Sequence, residues 1–321
     1  MKLDTAVQLA IDNVLRDGVD DVFDRPAELD FLNEPAFRAA VAEEVTKALG
    51  PGGLETLSVG PIQHANVPKS GLYAFRRCAL IQPMDHIKYL ALVLQSADLV
   101  EMSRLPIDKR RLFSYRFSPK EGRLFDPAFS LNSFHEEARR RAASSQVVVR
   151  CDIANFYDRL NLHRLESTLA TLGLEQANVR ATNELLIYWS RKDSYGLPVG
   201  MNASRILAEA ALIETDRYLE SIGAEFIRFV DDYQFFANNM AQAQFWLYKL
   251  IGRLAQEGLG LNSYKTRIIE SKSAMWNTEK SDDPSNVHFK PVTGVHIVDE
   301  VDDRGFYTRV PRRFFIPEMR E

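Results

Sequence analysis

The stretch Glu225-Phe226-Ile227-Arg228-Phe229-Val230-Asp231-Asp232-Tyr233-Gln234-Phe235-Phe236-Ala237 decides the fold. Two apolar, aromatic-rich runs flank an acidic pair, which predicts a tight β-hairpin carrying two carboxylates at its tip. Upstream, the β-branched run Val147-Val148-Val149-Arg150-Cys151-Asp152-Ile153 predicts a buried strand with Asp152 at its end. Adjacent aspartates in a turn are common because Asp accepts local backbone hydrogen bonds. Asp282-Asp283 and Asp302-Asp303 are such pairs in this same chain. The difference at Asp231-Asp232 is the pair of apolar strands around it. For Asp152 the structural alternatives are a helix N-cap or an ion pair with Arg150. If the three acids meet, their mutual repulsion calls for a divalent cation.

The chain has 321 residues, 45% hydrophobic and 26% charged, enough for one large domain or a few intimate subdomains. A net charge of −4 and a pI of about 6.0 exclude a globally basic nucleic-acid binder. A locally basic groove remains open, with Lys109-Arg110-Arg111, Arg139-Arg140-Arg141 and Arg312-Arg313 as the runs to supply it. Each of these also reads as a solvated face. Cys78 and Cys151 have no partners at metal-ligand spacing, so neither a zinc site nor a disulfide framework is expected. The six histidines show no ligand spacing, and the tryptophans read as core or seam fillers. No apolar stretch is long enough to span a bilayer, and the start Met1-Lys2-Leu3-Asp4 lacks a signal-peptide core, so a cytoplasmic location is expected.

Helical spacing predicts helices around Val7–Leu15, Glu34–Leu49, Asp85–Met102 (with Asp85 as N-cap), Ser130–Ala143, Leu162–Leu172, Glu175–Arg191, Ser204–Ile222 and Ala241–Glu257. Strands are expected within Leu54–Val67, at Leu112–Phe117, Gln146–Ile153 and Lys265–Ile269, on both sides of Asp231, and at Val292–Val298 and Phe306–Val310. Strands separated by helices suit a parallel sheet, but the tight hairpin argues for an α+β fold with a partly antiparallel sheet and helices on one face. The loop Gly196-Leu197-Pro198-Val199-Gly200 before Met201-Asn202-Ala203-Ser204 permits close backbone approach to a flat or anionic ligand, and otherwise reads as an ordinary helix start.

In this order, Asp-Ile-x-Asn-Phe-Tyr (Asp152 to Tyr157), Gly-Leu-Pro-x-Gly-x-x-x-Ser (Gly196 to Ser204), Phe-Val-Asp-Asp (Phe229 to Asp232) and Gly-Leu-x-Leu-Asn-x-x-Lys-Thr (Gly258 to Thr266) resemble motifs A to D of reverse transcriptases. Arg76-Arg77-Cys78-Ala79-Leu80 and Phe113-Ser114-Tyr115-Arg116-Phe117 resemble the fingers of bacterial defence-associated and abortive-infection members. Pro291-Val292-Thr293-Gly294 with Val310-Pro311-Arg312-Arg313 is similar to retron enzymes. The resemblance spans about residues 70 to 315.

That resemblance implies a right-hand polymerase palm with helical fingers and a short or absent thumb. It divides the chain into an N-terminal helical extension (1–70), fingers (71–150), a palm (151–280, with a fingers insertion at about 165–192) and a truncated thumb or tail (281–321). Asp152 and Asp231 would hold two Mg²⁺ ions, or Mn²⁺ in their place, with Asp232 assisting and the Ile153 carbonyl completing the shell. Tyr157 would be the steric gate favouring dNTPs. Pro198 to Gly200 would pack beneath the templating pair, and Lys265 would face the leaving pyrophosphate. Arg76, Arg77 or Arg116 would clamp the triphosphate, with core ion pairs as the alternative.

The implied activity is RNA-directed DNA synthesis from dNTPs on an RNA template, giving a DNA product, in antiphage defence with a non-coding RNA or partner protein. Untemplated or protein-primed synthesis, a catalytically idle RNA-binding scaffold, and a two-metal phosphodiesterase or nuclease are the alternatives. Three departures stand out. Phe229 and Val230 replace the residues usual before the acidic pair, and Val199 stands where Gln is common. About fifty residues follow Ser271, few for a full thumb, so its grip is expected to come from a partner protein, a bound RNA, the N-terminal helices or a neighbouring protomer of a homo-oligomer.

Overall fold

In a computed structural model the described residues are 1–19, 26–68, 75–191, 193–270, 291–301 and 307–317, the last two ranges as backbone. Two compact units emerge, Met1–Val67 with Arg76–Ser273, and Pro68–Phe75 with Ala274–Glu321. The elements run α1 (Leu3–Asp17), α2 (Pro35–Leu49), β1 (Gln63–Pro68), β2 (Phe75–Leu80), α3 (Pro83–Ser103), β3 (Phe117–Lys120), β4 (Arg123–Phe125), α4 (Leu131–Ala142), β5 (Val147–Asp152) and α5 (Phe156–Arg159). They continue α6 (Leu162–Thr171), α7 (Gln176–Trp189), α8 (Asn202–Ala211), α9 (Ile213–Ser221), β6 (Phe226–Phe229), β7 (Asp232–Ala237), α10 (Met240–Gln256), β8 (Arg267–Glu270), β9 (Pro291–Val301) and β10 (Tyr307–Pro317).

The larger unit is built on a four-stranded sheet of order β6-β7-β5-β8, every pairing antiparallel. The fold is therefore α+β, as the hairpin predicts. Strand alternation puts Phe226, Arg228, Tyr233 and Phe235 on one face, where Tyr233 bonds Asp216 of α9 and Phe235 lies 6.4 Å from Trp246 of α10. Across β6, Phe229 meets Phe134 of α4 at 5.9 Å. Beside the sheet, the buried face of α1 (Ala6, Val7, Ala10, Ile11, Val14) packs on α3. Tyr89 of α3 hydrogen-bonds Ser204 of α8 at 3.1 Å and receives Trp189 edge-on at 5.2 Å.

Side-chain caps explain several helix starts. Ser130 and Ser133 form a capping box on α4, and Asn161 and Asn239 accept the N–H groups of Arg164 and Gln242. Other boundaries differ from expectation. Leu112–Phe117 is not a strand; Leu112 makes a single bridge to Arg228, and the strand β3 starts at Phe117. Asp85 is not the N-cap of α3, since the helix starts at Pro83 and Asp85 instead accepts the Gly60 N–H at 2.7 Å. The single helix expected over Ser204–Ile222 is two, broken at Leu212. No Gly or Pro marks that bend. Its role is to bring Glu209 and Asp216, seven residues apart and ~10 Å along a straight helix, onto one guanidinium, that of Arg228.

In the smaller unit, β9 and β10 form an antiparallel pair from Pro291↔Pro317 to Val301↔Tyr307, longer than the sequence pattern suggests. Arg312 and Arg313 lie on β10. Trp276 and the two bland aspartate pairs fall outside the described residues. Among the described residues no helix is long and apolar enough to cross a membrane.

Candidate active site

Sheet register builds the site. Phe229 pairs with Asp232, leaving Val230-Asp231 as a two-residue turn, and Asp152 at the end of β5 sits directly opposite Asp232. The Ile153 N–H donates to the Asp231 carbonyl at 3.1 Å, tying the turn to the strand that carries the third acid. Each of the three residues offers a carboxylate oxygen within 4.8 Å of the others. Asp152 is buried, Asp231 half-buried and Asp232 exposed.

Electrostatics follow from that crowding. Desolvation, then the Asp152 charge, pushes Asp231 up to about 6. Desolvation, then Asp231 and Asp152, pushes Asp232 up to about 7, although water screens part of this at the more exposed group. Lys265 partly relieves the repulsion, its Nζ donating to Asp152 Oδ1 at 2.9 Å. Burial works to lower the Lys265 pKa, but the bond to Asp152 and the three nearby carboxylates raise it on balance. Asp152 thus pairs with Lys265 and caps no helix. The loop carrying Lys265 is itself bonded to the site: Asn262 N–H donates to the Asp152 carbonyl at 2.7 Å, and Ala154 N–H to the Gly260 carbonyl at 2.8 Å.

Val230 is a β-branched residue at φ 55, in the left-handed region where such residues are strained. Three bonds hold it there. The Val230 N–H donates to Ser114 Oγ at 2.9 Å, its carbonyl accepts from Arg228 Nη1 at 2.8 Å, and Ile153 holds the next carbonyl. Behind the turn lies a buried charge cluster. Arg228 bonds Asp216 at 2.6 Å and Glu209 at 2.8 Å, Arg104 bonds Glu209 at 2.6 Å, Ser114 donates to Glu209, and Tyr233 donates to Asp216 at 2.9 Å. Sequence reasoning missed this network. Its signal was Arg228, a lone charge inside an apolar strand, which cannot be buried without partners.

Tyr157 is half-buried against the core, and burial, then Tyr115, pushes its hydroxyl well up. Gly196 and Gly200 have φ 100 and 106, which explains both glycines around Pro198. The Ala79 N–H of β2 donates to the Val199 carbonyl at 3.2 Å, joining the Arg76-Arg77 strand to this loop. Arg76 and Arg77 are exposed, and Arg77 lies 3.2 Å from the His64 ring. Arg116 is different: it is buried, paired with Glu101 at 2.6 Å and donating to the Leu105 carbonyl at 2.9 Å. The ion-pair alternative is the one the structure holds for Arg116, because Glu101 of α3 occupies its guanidinium.

A family model described as reverse transcriptase (RNA-dependent DNA polymerase) matches residues 101–311, about two thirds of the chain. No curated protein matches the sequence. Among solved structures, telomerase from Candida albicans in complex with a TWJ fragment of telomeric RNA matches 77% of this chain and 48% of its own, at 12% identity and a TM-score of 0.50. Telomerase from Candida tropicalis matches without its C-terminal domain (13% identity, 76% of this chain and 62% of that one, TM-score 0.48) and as the apo form (12%, 85% and 64%, TM-score 0.48). The chain spans less than two thirds of the length of each.

Proposed function

The chain belongs to the reverse transcriptase (RNA-dependent DNA polymerase) family, and from that premise we propose that it joins dNTPs to a primer hydroxyl with release of pyrophosphate. The observation that carries this reading is the convergence of Asp152 with Asp231 and Asp232 at one end of adjacent strands. Three hard oxygen donors that repel one another fit Mg²⁺, with Mn²⁺ able to replace it. Bound divalent cations would supply Lewis-acid activation of the hydroxyl and neutralise triphosphate charge. Asp152, Asp231 and Asp232 would hold those cations, and Lys265, already at Asp152, would lie beside the leaving group. Tyr157 forms the floor under the sugar and sets dNTP preference. Pro198 to Gly200 supports the templating pair, and the exposed Arg76 and Arg77 meet the triphosphate.

The finer reading is a cytoplasmic bacterial enzyme of antiphage defence, of abortive-infection type with retron-like features, working with a non-coding RNA or partner protein. Motif resemblance supports it, as it does the division into N-terminal extension, fingers, palm and truncated thumb. The test of the activity supplies labelled dATP, dCTP, dGTP and dTTP separately with Mg²⁺, with and without an RNA template. Template-dependent growth supports reverse transcription, and growth of a single-nucleotide polymer without template supports the untemplated mode. The Asp231→Ala, Asp232→Ala double variant is expected to abolish incorporation while keeping its fold. Residual labelling by that variant rules out the site assignment.

A further inference from the structure

The structure assigns a second use to the basic runs Lys109-Arg110-Arg111 and Arg139-Arg140-Arg141, about thirty residues apart in the chain: we propose that they form a docking site for the phosphodiester backbone of single-stranded nucleic acid. Both runs converge on a cleft of about 550 Å³, where Lys109, Arg111, Arg140, Arg141, Ser144 and Asn238 meet. The cleft lies where β6 begins and β7 ends, the sheet end opposite the acidic turn. Five residue steps along β7 separate Asp232 from Ala237, ~17 Å at strand rise.

Two kinds of cation line it. Arg111 and Arg141 are structural: Arg111 donates to the Ala224 carbonyl at 2.9 Å and to Glu225 at 3.0 Å, and Arg141 to the Arg110 carbonyl at 2.9 Å and to Glu137 at 2.7 Å. Lys109 and Arg140 reach outward, with side chains 45% and 69% exposed, each touching one carboxylate, Glu220 or Glu137. Four lining cations meet three carboxylates, Glu220 and Glu225 in the lining and Glu137 behind Arg140 and Arg141, on a chain whose overall charge is negative. The one aromatic in the lining, Phe236, is buried, so the cleft lacks the apolar centre that a protein partner would need. Guanidinium groups beside hydroxyl and amide donors are what phosphate oxygens accept from. The choice of nucleic acid as ligand rests on the polymerase reading; the location does not.

The test measures binding of a short fluorescein-labelled single-stranded RNA, and its DNA counterpart, across a salt series by anisotropy. Lys109→Gln with Arg140→Gln is expected to weaken binding roughly tenfold at low salt and to lower the salt slope by about 1–1.5. Its melting curve should match the parent's, and so should nucleotide incorporation at saturating primer–template. Parent-like affinity and slope in the variant overturn the proposal, as does a parent protein that binds neither strand; an acidic protein partner for this cleft would give the first of these results. Failure of the polymerase reading alone looks different. The parent then fails to incorporate label, yet it and Asp231→Ala retain strand binding with a slope that the patch variant lowers.

Discussion

At the scale of single residues, the acidic turn is held in a conformation its own sequence disfavours. Ser114 accepts from the Val230 N–H and donates to Glu209, so Ser114→Ala leaves a buried donor and weakens the pin on the turn. The expected cost is about 1–3 kcal/mol in urea denaturation, and kcat should fall more than the KM for dNTP changes. Asp232→Asn should act in the opposite direction on stability. A carboxyl whose pKa folding raises stabilises the fold fully below its ordinary value near 4, and that contribution is lost as pH climbs through 6 to 7. Above that range the metal-free protein carries the full repulsion. In chelator at mildly alkaline pH, Asp232→Asn should therefore melt higher than the parent, by roughly 2–4 °C per kcal/mol of relief, while losing incorporation. The acids were readable because motif spacing and strand alternation mark them. Ser114 and Glu209 were not, because a serine in a loop and a glutamate in a helix acquire their roles only through Arg228.

At the scale of elements, α3 carries a titratable group its pattern does not advertise. His86 is buried with no hydrogen bond at Nδ1, and burial pushes its pKa down to about 4. The unfolded chain takes up a proton near 6.5 and the folded one does not. Stability contributed by the neutral ring is complete above 6.5 and lost as pH falls towards 4, about 3 kcal/mol at most. His86→Leu should flatten the acid side of a stability-versus-pH curve measured by denaturant midpoint, and an unchanged curve would remove His86 from the account. Element types were largely open to reading, since β5 to β7 and the amphipathic helices follow simple periods. The bend at Leu212 was hidden, because it answers to a partner on β6 and to no local breaker. The strand expected at Leu112–Phe117 failed for a related reason: Phe113 donates its N–H to the Arg228 carbonyl, so the segment joins the β6 edge for one step and then turns away.

At the scale of the whole molecule, the first fifty residues are no appendage, although the motif resemblance stops short of them. α1 buries an apolar stripe on α3, and buried Asn13 accepts from Asn202, the first residue of α8, at 2.9 Å while donating to the Gly122 carbonyl. Removing residues 1–50 would expose several side chains worth ~1.5–3 kcal/mol each, against a typical total stability of 5–15 kcal/mol. The truncated chain is expected to lose cooperative unfolding by calorimetry; a sharp, parent-like transition would show that the remainder folds alone. The sequence pattern marked α1 as amphipathic but held no sign of which surface it covers, because that contact depends on α3 and on residues 109 and 189 positions away.

The contact between Lys265 and Asp152 has a further consequence. An ammonium group already neutralises part of the acidic cluster, so the protein comes with an internal placeholder for the ions it would bind. Loading the centre would then be an exchange, with incoming cations competing against the tethered ammonium of Lys265, and a shift of the loop from Gly258 to Thr266 would tune how readily that exchange occurs.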